Sequence, residues 1–262
     1  MGNRQTSAED VGSRQTSEED LVFEYTTGVG SVPKDVTSVR FHEGVQKIGD
    51  DAFSGCSSLK SITVPSTVTE IGNSAFHSCI ILREVIFNDG LTKVGHGVFS
   101  NCTSLESITL PSTITEIGTC AFKKCSNLRE VTFNDGLQKI GHFAFYTCTS
   151  LESVTLPSTV TEIGNYAFHD CINLGDIILN DGLQKIGNWT FHNCTSLKSI
   201  TIPSTVTEIG NYAFRYCSNL KEVTFNKPLQ KIGVGAFDNC TSLKSITLPP
   251  RCETCYITTY SS

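Results

Sequence analysis

The sequence predicts a repeat solenoid, and three observations carry that prediction. The unit LESITLPSTITEIGTCAFKKCSN at residues 105–127 recurs every 23 residues. Cysteine stands at nine positions in that register, from Cys56 to Cys240, with phenylalanine three residues before each, from Phe53 to Phe237. A glycine lies four residues before each phenylalanine, and a leucine three residues after each cysteine, from Leu59 to Leu243. A fixed period between about 20 and 50 residues marks stacked units that contact only their neighbours. One such unit buries too little apolar surface to offset the ordering of its own backbone, so many copies are required.

Residues 1–20 are polar and self-similar, NRQTSAED at 3–10 being echoed by SRQTSEED at 13–20. This composition cannot bury a core and predicts a disordered acidic tail. The start Met1-Gly2-Asn3-Arg4-Gln5-Thr6 fits the N-myristoylation pattern with Gly2 as acceptor; a solvated tail is the alternative reading. A single acyl chain gives only marginal membrane binding. Residues 21–35 are the entry, where Leu21, Val22, Phe23 and Tyr25 are expected to cover the open apolar end of the first rung.

The solenoid spans 36–250, as nine rungs beginning at 36 and every 23 residues thereafter, plus a partial tenth from 243. In each rung L-x-x-I-x-L alternates as a short strand does. On alternate rungs the strand ends at Pro65, Pro111, Pro157, Pro203 and Pro249, and three of the others end in Asn-Asp-Gly at 88–90, 134–136 and 180–182, a turn signal. The second half, V-x-x-I-G-x-x-A-F-x-x-C, predicts another short strand and a tight helical turn. Strands stacked ~4.8 Å apart make a rod.

A 46-residue alternation also shows in charge. The residue before the Ile-Gly or Val-Gly step reads Lys47, Glu70, Lys93, Glu116, Lys139, Glu162, Lys185, Glu208, Lys231. Each exposed pair is worth only about 0–1 kcal/mol, but a one-rung slip would set like charges together, so the order specifies register. Residues 251–262 read as a degenerate cap. Cys255 falls where Ile232 lies one rung earlier, and Cys252 where Leu229 lies, so the CxxC reads as two core positions.

The formal charge of −6 is concentrated at the front: residues 1–35 carry −4 and the rest −2. A near-neutral body without a basic stripe argues against nucleic acid. The one-per-rung cysteines read as free, buried core thiols, which fits a reducing compartment. With neither a signal-peptide-like apolar run nor a membrane-length stretch, a cytoplasmic, monomeric protein is expected.

The pattern L-x-x-I-x-L-P-x-x-(V/L)-x-x-I-G-x-x-A-F-x-x-C resembles the leucine-rich repeat of the BspA-like class, a 23-residue variant, over 36–250. The resemblance implies a right-handed superhelix with short parallel strands on its concave face and tight turns, 3-10 turns or short strands on the other. It also implies a binding protein, since some members are surface adhesins, and supplies no catalytic residue.

Two surfaces are candidates for partner binding. The strand face is expected to present Glu84, Ile86, Thr109, Glu130, Thr132, Thr155, Asp176, Ile178, Thr201, Glu222 and Thr224, a threonine column interrupted by two isoleucines. The alternative reading of this face is strand propensity and solubility. The second surface is a patch on four consecutive rungs. Phe143, Tyr166, Trp189 and Tyr212 stand where most rungs carry something small, and Tyr146, His169, His192 and Arg215 follow three residues later. Residues at i and i+3 of a tight turn share a face, and aromatics with Arg favour interface hot spots; a purely structural stacked stripe is the alternative. His169 and His192 lie on adjacent rungs as a solvated pair, a shared metal being the other reading. No nucleophile–base–acid set is present and no cofactor is expected. The expected role is a non-enzymatic scaffold for an unknown protein partner. A cell-surface adhesin and a membrane-peripheral scaffold through Gly2 are the alternatives.

Overall fold

The computed structural model describes residues 21–26, 31–226, 229–244, 246 and 254–255. The tail at 1–20, with Gly2, and the cap at 251–262, apart from the strand Thr254–Cys255, lie outside these residues.

Each rung contributes two parallel strands, as the two apolar repeats predict. The longer ones run Ser38–Phe41, Ser61–Val64, Glu84–Phe87, Ser107–Thr109, Glu130–Thr132, Ser153–Thr155, Asp176–Ile178, Ser199–Ile202 and Glu222–Phe225. The shorter ones are two-residue Lys-Ile, Lys-Val or Glu-Ile steps from Lys47–Ile48 to Lys231–Ile232. Every pairing joins residues 23 apart within the repeat, as in Ile140 with Ile117 and Ile163. Lys139 lies between Glu116 and Glu162 in the same register. Cys255 pairs with Ile232, the position its place in the repeat indicates.

The long strands are arranged in doublets. Ser61–Val64 pairs with Glu84–Phe87, Ser107–Thr109 with Glu130–Thr132, Ser153–Thr155 with Asp176–Ile178, and Ser199–Ile202 with Glu222–Phe225. Among the described residues the strand ladder on this face is interrupted between doublets. The short strands form a three-stranded and a seven-stranded sheet, broken between Lys93–Val94 and Glu116–Ile117.

One continuous apolar interior runs the length of the rod. The nine repeat phenylalanines are all buried, Phe237 being the most exposed at 6%. Successive rings stack with centroids 5.0–5.5 Å apart, from Phe53 to Phe237. The close approach of backbones explains the glycine of Ile-Gly: a Cβ at Gly210 would come within 2.5 Å of three backbone atoms of Gly187 and Asn188.

Two expectations need correction. The second-half turn is not helical. The amides of Tyr146 and Cys148 donate three residues back, to Phe143 and Phe145, whereas Phe143, Phe145 and Thr147 donate to the next rung. Every second amide is thus spent on stacking, and no helix forms among the described residues. Positive φ at two positions per rung, such as Phe143 (56°) and Thr147 (60°), accompanies this alternation. At the entry, Val22–Tyr25 pairs in parallel with Ser38–Phe41. This buries Tyr25 to 2% exposure and packs Phe23 on the core, but Leu21 and Val22 remain half exposed. Only alternate residues of an added strand can face the interior.

Candidate functional site

The strand face is open as expected. Glu84, Ile86, Thr109, Glu130, Thr132, Thr155, Asp176, Ile178, Thr201, Glu222 and Thr224 are all exposed. Ile178 is 61% exposed and Ile86 44%. The intervening residues of these strands, such as Val85, Val131 and Ile177, point inward and are buried. Depressions form at the seams between doublets. One of about 470 Å³ lies between Glu84–Phe87 and the Ser107 strand, and one of about 320 Å³ between the Glu130 and Ser153 strands. Acidic side chains rim both, Glu84 and Asp89 at the first, Glu130 and Asp135 at the second.

The aromatic patch forms two adjoining columns. Phe143 stacks on Tyr166 at 4.7 Å, Tyr166 on Trp189 at 5.9 Å and Trp189 on Tyr212 at 4.4 Å. Beside them Tyr146 stacks on His169 at 4.8 Å, and His169 on His192 at 4.3 Å. Cross-contacts of 5.0–5.8 Å join Phe143 to Tyr146, Tyr166 to His169 and Trp189 to His192. Arg215 closes one end, its guanidinium 5.3 Å from the Tyr212 ring and 4.8 Å from Tyr216. All eight residues are half-buried. Stacking along the rod covers the ring faces and leaves mainly edges to solvent.

The four aromatics of the first column sit at φ between 56° and 59°. Two other rungs place Gly97 and Gly235 at this position. The left-handed region is uncommon for bulky side chains, but Asp51, Ser74 and Cys120 hold the same φ at this position, so the conformation belongs to the rung and not to the ring. Three contributors escaped the sequence reading. Lys123 extends the second column, with its ammonium 5.4 Å from Tyr146. Asp170 and Tyr216 belong to a third column, one residue before the repeat cysteine, in which Asn193 Nδ2 donates to Asp170 Oδ1 at 2.9 Å. The signal was the same register arithmetic applied to a further position.

His169 and His192 are held in unusual surroundings. Their Nδ1 atoms are shielded from solvent, and that of His192 has no hydrogen-bond partner. Asp170 Oδ2 lies 3.1 Å from His169 Nδ1. Burial lowers the His169 pKa, against the opposing pull of Asp170. Burial, then the neighbouring His169, brings His192 down to about 4. Among the described residues, His169, Asp170 and His192 form the one group of three metal-ligating side chains, with ligand atoms within 4.8 Å of one another.

A family model described as "BspA type Leucine rich repeat region" matches in six copies over residues 33–152 and 138–262. A T. pallidum leucine rich repeat protein of known structure is similar at 29% identity and a TM-score of 0.57, over 70% of this chain and 78% of that one. A leucine-rich repeat protein from Eubacterium ventriosum ATCC 27560 shares the fold at 20% identity and a TM-score of 0.56, covering 93% of this chain and 92% of the other. No curated protein sequence matches the chain.

Proposed function

Because this chain belongs to the BspA-type leucine-rich-repeat family, we propose that it is a non-enzymatic scaffold that binds a protein partner across its strand face. One observation carries the choice of face. Ile178 and Ile86 stand 61% and 44% exposed in a threonine column, whereas the aromatic patch has spent its ring faces on itself. An exposed isoleucine gains most from being covered, and the acidic rims at Glu84, Asp89, Glu130 and Asp135 favour a partner with basic residues around an apolar contact.

The test is capture of the partner by proximity labelling in the native cell. An Ile86→Lys, Ile178→Lys double variant should lose capture with its thermal unfolding unchanged, since both side chains already face water. A Tyr166→Ala, Trp189→Ala variant should keep it. Capture lost only in the second variant would transfer the interface to the aromatic patch. We place this action in a reducing compartment, supported by ten free thiols among the described residues, nine of them buried one per rung. Finding the tagged protein outside the cell would favour an adhesin role for the same face.

A further inference from the structure

We propose that His169, His192 and Asp170 bind a divalent transition-metal ion of the zinc class. Three observations on neighbouring rungs converge there. The three ligand atoms lie within 4.8 Å of one another. The His192 Nδ1 is shielded and lacks a hydrogen-bond partner, although buried polar atoms are nearly always partnered, and the shielded His169 Nδ1 faces Asp170 Oδ2 at 3.1 Å. The carboxylate is oriented from behind, since Asn193 Nδ2 donates to Asp170 Oδ1 at 2.9 Å and leaves Oδ2 directed at His169. Such hydrogen bonds to ligands are the usual support of a metal site.

The donor set selects the ion. Two imidazole nitrogens and one carboxylate oxygen suit zinc, whose sites with three protein ligands leave a fourth position for water; calcium and magnesium require oxygen ligands. Each neutral imidazole offers the ion one nitrogen lone pair. The core thiols nearest the patch compete poorly, as burial pushes Cys125 up to about 12 and raises Cys148 and Cys194 well above the ordinary thiol value, and zinc binds thiolate. Tetrahedral coordination sets the donors about 3.3 Å apart. The rings, now stacked at 4.3 Å and 15°, must turn to converge. The Arg215 cation near His192 opposes the ion, and the Asp170 charge offsets it.

Calorimetric titration of the full chain, stripped with chelator, should give a saturable one-to-one isotherm with Zn²⁺. Asp170→Asn should weaken it by about tenfold or more. Asn tolerates the φ of 60° at this position, so the variant should keep the fold. His169→Gln combined with His192→Gln should abolish binding. Absence of saturable binding, or binding that survives both variants, overturns the site. Should the double variant fail to fold, Zn²⁺ added to the unaltered chain must shift the imidazole resonances of two of its six histidines, and shifts in none or in all overturn it equally.

Discussion

At the scale of single residues, the repeat cysteine shows what a pattern conceals. Its size and apolarity explain burial, but alanine would meet both needs. The structure adds a directional role: Cys148 Sγ donates to the Phe122 carbonyl at 3.1 Å, and Cys79 to Cys240 repeat the bond at 3.1–3.3 Å. That carbonyl belongs to a turn whose alternate amides are committed to stacking. Because the Phe122 carbonyl also accepts from the Cys125 amide at 3.2 Å, Cys148→Ala removes one of its two bonds and should cost about 0.5–1.5 kcal/mol in chemical denaturation, beyond the loss of volume. An effect near zero would mean that the thiol only fills space. Phe145→Ala should cost about 3–5 kcal/mol, because the ring is fully buried between Phe122 and Phe168. The same logic was legible at the patch only in part. The spacing of 23 and the i, i+3 relation placed Phe143 through Arg215 together, since both are counting rules. That stacking would hide the ring faces, and that Asp170 would join the histidines, depends on backbone direction at positive-φ positions, which counting does not supply.

At the scale of elements, a chain of side-chain hydrogen bonds runs beside the short strands and went unread in the sequence. The residue after the Ile-Gly or Val-Gly step accepts from the backbone amide one rung on: Asp50 from Asn73, Asn73 from His96, His96 from Thr119, then His142 through Asn165, Asn188 and Asn211 to Val234. Asp, Asn and His share one property, a short acceptor, so the column looks irregular by residue type and regular by chemistry. The charge column was legible because its alternation is in sign, and the register sets every lysine opposite a glutamate. It is uneven in strength. Glu70 accepts from Lys93 at 2.8 Å and Lys47 at 3.2 Å, while Lys139–Glu162 and Lys185–Glu208 stand at 3.7 Å. Those lysine hydrogen bonds, Lys93 first, hold the Glu70 carboxyl below its ordinary value of 4.5. A folded-state pKa below the unfolded one gives stability that is complete above the unfolded value and is lost as pH falls through the folded one. Melting temperature followed from neutral pH down through the carboxylate range should therefore fall less steeply in Glu70→Gln than in the unaltered chain. Parallel curves would show that the pair is thermodynamically silent.

For the whole molecule, the repeating unit is 46 residues rather than 23. The ladders of the long strands join rungs in pairs, and the turns explain why unlike rungs must alternate. Asn134 and Asn180 donate to the carbonyls of Pro111 and Pro157 in the proline rungs before them. Thr159 and Thr205 in the proline rungs donate back to Leu137 and Leu183. Each type supplies what the other accepts, and the charge column follows the same rhythm. Nearest-neighbour coupling dominates the stability of a solenoid, so excisions should be judged by the contacts they create as well as by those they remove. Removing 105–127 would set Lys93 beside Lys139 and one Asn-Asp-Gly turn beside another. Removing 105–150, twice as much chain, would set Lys93 beside Glu162 and restore the proline–asparagine alternation. The longer deletion should therefore unfold at the higher temperature, followed by the circular dichroism of the strands. If stability instead tracks the number of rungs left, the doublet is a sequence ornament and the single 23-mer is the physical unit. A doublet unit also fixes where the rod can present a partner surface. Depressions occur where the ladder is interrupted, between Glu84–Phe87 and Ser107–Thr109 and again between Glu130–Thr132 and Ser153–Thr155, so grooves on the strand face recur at the same 46-residue interval as the contacts that stabilise it.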